Sequence, residues 1–152
     1  GLYYLDPPRD GAKYGLPAAA FKKAIIATGR LTGTKMTELR QSVFVNVESP
    51  DGYVPIIGPD PVMQQDRVRV GGMGGGADLR YRPLFAKWQA MLSVRWYNSA
   101  SMTIDQLHDA ILLAGQCVGV GDWRVEKDGP YGTFTIDEAE FVRLNSVRVE
   151  GA

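Results

Sequence analysis

Residues 88–97, WQAMLSVRWY, alternate along their whole length, with Trp88, Ala90, Leu92, Val94 and Trp96 on one side and Gln89, Met91, Ser93, Arg95 and Tyr97 on the other. A period of two places the apolar set on one face of a strand, whereas a helix would scatter it around its circumference. The period then changes. Thr103, with Gln106 three residues on, forms a capping-box start, and Ile104, Leu107, Ile111, Leu112 and Ala114 line one helical face that Gly115 closes. A half-buried strand beside an amphipathic helix has to be built as helix packed on sheet, so the expected class is α+β.

The remaining segments extend this pattern. Residues 1–16, GLYYLDPPRDGAKYGL, read as an extended lead-in. Pro17 suits a first helical position, and Phe21, Ala24, Ile25 and Thr28 recur at helical spacing up to Gly29 while Lys22 and Lys23 point elsewhere. VFVNV at 43–47 and YVPII at 53–57 are strand-like runs joined by the turn sequence ESPDG, which predicts a hairpin, with Pro55 placing the second strand at an edge or making it short. GTFTID and the weakly alternating FVRLNSVRVE close the chain.

Composition limits the function classes. At 152 residues the chain is read as one domain, 1–152, and its opening on Gly rather than Met fits a processed or truncated piece. No apolar run reaches bilayer length, no signal peptide is legible, and the single Cys117 cannot form an internal disulfide. The expectation is a protein of a reducing cytoplasm, without a membrane partner.

The formal net charge is +0, but it is unevenly distributed. Residues 1–61 carry seven basic and six acidic groups, 62–98 six and two, and 99–152 four and nine, giving +1, +4 and −5. The basic third holds Arg67, Arg69, Arg80, Arg82, Lys87 and Arg95, and arginine's planar fork suits phosphate and base stacking. The competing reading is a solvated surface balanced by the acidic third, and a balanced total is unlike the strongly basic footprint of an obvious nucleic-acid binder.

Two glycine-rich stretches punctuate the chain. GGMGGG at 71–76 is a hinge, a hairpin tip, or, with its flanking arginines, a flexible arm on a basic base; it lacks the Gly-Lys-Ser/Thr of a phosphate loop. The second stretch, AGQCVGVGDWRVEKDGPYGTF at 114–134, follows a helix rather than a strand, so it is not a dinucleotide fingerprint. Its carboxylates are interleaved with cations and lack calcium-loop spacing, and the lone His108 has no companion at ligand spacing, which makes it a helix-flank histidine. No nucleophile and base, carboxylate pair or metal cage is evident, so no catalytic residue, metal or cofactor is expected.

A helix and two strands, then a strand, helix, glycine loop and strand resemble a ferredoxin-like βαββαβ unit with a hairpin insertion, its first strand lying in LYYL or upstream. Gly119-Val-Gly121-Asp-Trp-Arg124 with Gly129-Pro-Tyr-Gly132-Thr-Phe134 is similar to the glycine loop of the RAMP superfamily, the repeat-associated RNA-binding subunits of CRISPR effector complexes. From YGLPAAAFKKAI to YGTF the chain also resembles uncharacterised proteins of tailed phages and prophages. The RAMP resemblance implies an oligomeric RNA or single-stranded DNA binder, or a subunit of a larger complex, in which glycines let main chain approach phosphates. Cleaving members commonly use a histidine or another general acid near this loop, and no histidine lies in 115–134, so binding carries over and cleavage does not. The candidate binding residues are Lys22, Lys23, Arg67, Arg69, Arg80, Arg82, Arg95, Tyr97, Trp123, Arg124 and Lys127, with Gly119, Gly121, Gly129 and Gly132 shaping the loop. The rival is a protein-assembly module in which the basic third docks on a neighbour's acidic third; a metal-independent endoribonuclease ranks third.

Overall fold

A computed structural model describes residues 3–9, 11–47, 49–69, 77–85, 87–96, 103–121, 124, 132–138 and 146–151. The fold is α+β and its strand pairings are antiparallel. Strands β1 (Tyr3–Arg9) and β2 (Ala12–Pro17) lead into helix α1 (Ala18–Ala27). A short helix α2 (Gly29–Thr32) and α3 (Met36–Ser42) precede β3 (Val43–Val45) and β4 (Tyr53–Ile56). Strands β5 (Val62–Arg69), β6 (Ala77–Leu84) and β7 (Gln89–Trp96) come next. Helix α4 (Ile104–Leu113), a π-helical turn (Ala114–Val118), β8 (Phe134–Ile136) and β9 (Ser146–Gly151) follow.

The lead-in is therefore a hairpin. Arg9 pairs with Ala12 across a two-residue loop in which Gly11 takes φ +77°, a value that favours glycine. Pro17 sits one residue earlier than expected, as the N-cap of α1.

The expected hairpin of 43–47 with 53–57 does not form. β3 pairs with β7, and β4 pairs with β2, so ESPDG carries the chain between two sheets. The physical cause is at Asn46, whose left-handed φ of 47° turns the chain away while its Oδ1 accepts the Ser93 N–H at 2.8 Å. The turn beyond is held by Asp51, which accepts from the Tyr53 N–H and from Arg9, both at 3.0 Å. Pro55 lies in β4, the terminal strand of the order β1-β2-β4, as the edge expectation required. The second sheet has the order β3-β7-β9-β8, and one bridge, Ile57 with Gln89, joins the two sheets along the edge of β7.

The helices cover one side. α1 packs on β3, α3 and the π-turn, and α4 packs on β8. Phe21, Ile25, Leu39, Val43, Leu92, Leu107 and Ile111 are fully buried between these layers. Phe134 fixes the joint, with its ring centroid 5.9 Å from that of Phe21 and 6.2 Å from that of Trp88. Along β7 the alternation holds as read, with Ala90 and Leu92 buried and Gln89, Ser93 and Arg95 exposed. Register extends the outer face across β9, where positions 146, 148 and 150 stand opposite Ser93, Met91 and Gln89.

β5 and β6 form a separate two-stranded ribbon, paired over eight rungs from Val62 opposite Leu84 to Arg69 opposite Ala77. The 71–76 glycines connect these strands and lie outside the described residues. Among the described residues, no helix is long and apolar enough to cross a membrane.

Candidate nucleic-acid interface

The outer face of the β3-β7-β9-β8 sheet has a cationic aromatic corner. Phe44, on β3, stands directly opposite Arg95 on β7, so both belong to the face that Val43 and Val45 do not use. Lys22 reaches from α1 around this edge and places Nζ 4.4 Å from the centre of the Phe44 ring, a cation–π contact. Two predicted residues, Lys22 and Arg95, are thus brought together through a third that the sequence reading missed. The signal for Phe44 lay in its position between two buried valines, but its face was decided by β7, a distant partner. Lys23, the next residue on α1, is exposed.

The four arginines of the ribbon are divided. Opposed positions share a face, so 80 and 82 lie with 64, 66 and 78 on one side, and 67 and 69 lie on the other with 79 and 81. The ribbon therefore carries two arginine positions per face rather than one basic strip.

In the second glycine stretch, three of the four shaping glycines have conformations the loop itself requires. Gly119, Gly121 and Gly132 take φ of +80°, +85° and +81°. Gly132 is the most constrained, because its carbonyl accepts the Val120 N–H at 3.0 Å and a Cβ there would run into the Val120 carbonyl. Arg124 turns back on the same loop, with Nη1 donating to the Gly121 carbonyl at 3.3 Å. Tyr97, Trp123, Lys127 and Gly129 lie outside the described residues.

His108 lies on the flank of α4, half-buried. Its Nε2 is 2.8 Å and 2.9 Å from the two carboxylate oxygens of Glu138, and its Nδ1 is 3.2 Å from Asp109 Oδ1. The Glu138 hydrogen bond, with a smaller contribution from Asp109, raises the imidazole pKa above its usual 6.5 against a modest cost of burial. The pair joins the helix before the glycine loop to the segment after β8. Cys117 is a free, exposed thiol, and no group of three or more metal-ligating side chains gathers among the described residues.

No protein-family model matches the chain, and no curated protein or solved structure matches it either.

Proposed function

We propose that the chain is a non-enzymatic binder of RNA or single-stranded DNA, acting as an oligomer, with the outer sheet face as its platform. The observation that carries this reading is the Phe44 ring capped by Lys22 and in register with Arg95, on the sheet face opposite the buried Val43 and Val45. An aromatic ring offers a stacking surface to any base, and neighbouring cations meet the backbone charge. The arginines of the β5–β6 ribbon, together with Arg124 and Lys127, extend the basic surface in this proposal. The ferredoxin-like frame also belongs to it, with β2-α1-β3 and β7-α4-β8 as the two halves and β9 beside β7. The phage-type and RAMP-like readings, and a cytoplasmic location, rest on the sequence alone.

Assembly is the second reading, and one observation favours it. A two-stranded ribbon is marginally stable alone in water, and among the described residues neither β5 nor β6 has a third strand beside it. A neighbouring copy would supply the missing cover. Sizing the purified protein before and after nuclease treatment, with its absorbance ratio at ~260 and ~280 nm, separates the two, since phosphate-driven binding brings nucleic acid with it. Particles that carry nucleic acid and shrink on digestion support the first reading. A nuclease-resistant oligomer free of nucleic acid would replace it with the second.

A further inference from the structure

Strand β7 has an interruption along one edge. The Ser93 carbonyl accepts the Asn46 N–H and the Ser93 N–H donates to Asn46 Oδ1, each at 2.8 Å. Four residues back, the Gln89 N–H and carbonyl bond the Ile57 main chain, again at 2.8 Å each. Backbone groups alternate between the two edges of a strand, and the β7–β9 register runs without a slip from Gln89 to Ser93. Met91, midway, therefore turns its N–H and C=O to the same edge as Ser93 and Gln89. β3 ends its ladder at Val45 opposite Val94, and Ile57, just after β4, bridges β7 at Gln89, so among the described residues none is registered opposite Met91 there.

This interruption is a groove of about 270 Å³, lined by Arg9, Asn46, Tyr53, Ile57, Met91 and Ser93 among others. Its size falls just below the roughly 300–1,000 Å³ of pockets that take drug-sized molecules, which suits one ring system. One wall is the Arg9 guanidinium, fixed by Asp51 at 3.0 Å and the Tyr53 carbonyl at 2.6 Å, and a fixed guanidinium plane is a surface on which bases stack. Met91 and Ser93 lie on the strand that carries Arg95, with Ser93 two residues away on the same face.

We infer that this groove is a nucleobase subsite, in which the Met91 N–H donates to, and the Met91 C=O accepts from, adjacent groups on the edge of one unpaired base. The inference rests on the nucleic-acid reading and gives it an element that reads the base edge through main chain. A main-chain donor beside a main-chain acceptor complements any base edge with the reverse pair, so bases with that pattern bind best. The partner is an unpaired base, since pairing hides this edge.

The test uses neutral nucleosides, which carry the base without phosphate. Titrating adenosine, guanosine, cytidine and uridine into the ¹⁵N-labelled protein, with ribose as control, is expected to move the Met91 amide proton downfield and saturably for at least one base and not for ribose. Ser93→Tyr, which fills the groove and keeps both Ser93 main-chain bonds, is expected to abolish the shift; should that variant not fold, the wild-type titration decides. Oligonucleotide binding that leaves the Met91 amide unmoved by every nucleoside overturns the subsite and leaves the platform standing. Nucleoside shifts at Met91 without oligonucleotide binding keep the subsite and remove the platform. No shift with any nucleoside, or an equal shift with ribose, overturns the inference.

Discussion

Phe44 and Arg95 face each other across the β3–β7 ladder, and Lys22 caps the Phe44 ring from the helix layer. An aromatic ring that served the core alone would lie with Val43 and Val45, both buried; Phe44 lies on the opposite face, half-buried. Its substitution therefore separates binding from folding. Phe44→Leu is expected to weaken single-stranded RNA binding by roughly tenfold, within the about 1–3 kcal/mol that base–aromatic stacking contributes, with little change in the urea midpoint. Fluorescence anisotropy with a labelled oligonucleotide, beside a urea melt, checks both halves.

Gly132 and Gly121 share a positive φ but not a neighbourhood. A Cβ at 121 meets open space, whereas one at 132 meets the Val120 carbonyl. Gly121→Ala is expected to cost about 1 kcal/mol, the left-handed penalty alone. Gly132→Ala is expected to cost more, about 2–3 kcal/mol, because the loop must open as well. Equal urea midpoints for the two variants would show that the close approach at 132 contributes nothing.

His108 makes stability depend on pH in a defined direction. Its folded pKa is raised, chiefly by Glu138, so the folded state holds the proton more tightly than the unfolded chain. The resulting stabilisation is complete below about pH 6.5, the unfolded value, and is lost as pH rises through the folded pKa. The wild-type melting temperature is expected to fall on going from pH 6 to pH 8, the slope being shallower in His108→Gln. Parallel slopes in the two proteins would remove His108 from this role.

The capping box at α4 has a measurable share of stability. The Thr103 side chain accepts the Gln106 N–H at 3.3 Å, and Gln106 Oε1 accepts the Thr103 N–H at 2.8 Å. Thr103→Ala is expected to destabilise by about 1 kcal/mol, and Thr103→Ser to retain most of that. Chemical denaturation of the three proteins provides the comparison.

What could be read in the sequence followed the range of the interactions that decide it. β7 and α4 were legible because their periods and the capping residues Thr103 and Gln106 are local. The lead-in hairpin had its signal in Asp10-Gly11, one of the pairs favoured in two-residue hairpin loops. β3 and β4 misled for the opposite reason. Their turn residues are local and do make a turn, but the partners that orient them, β7 and β2, are remote in sequence, and Asn46 diverts the chain between them. Phe44 and Met91 gained their places from those remote pairings. The α3 residues MTELRQS went unmarked because Leu39 is the only buried position in that helix, too few to set a period.

The central claim is that the outer sheet face meets a nucleic-acid backbone, and the salt dependence of binding measures that contact directly. Log affinity for a labelled single-stranded oligonucleotide should fall linearly with log salt, and each lost phosphate contact should flatten the slope by about 0.7. Arg95→Gln, with Lys22→Gln as a second variant, is expected to weaken binding and to flatten the slope by about that amount. Wild-type affinity and slope retained in both variants would contradict the account.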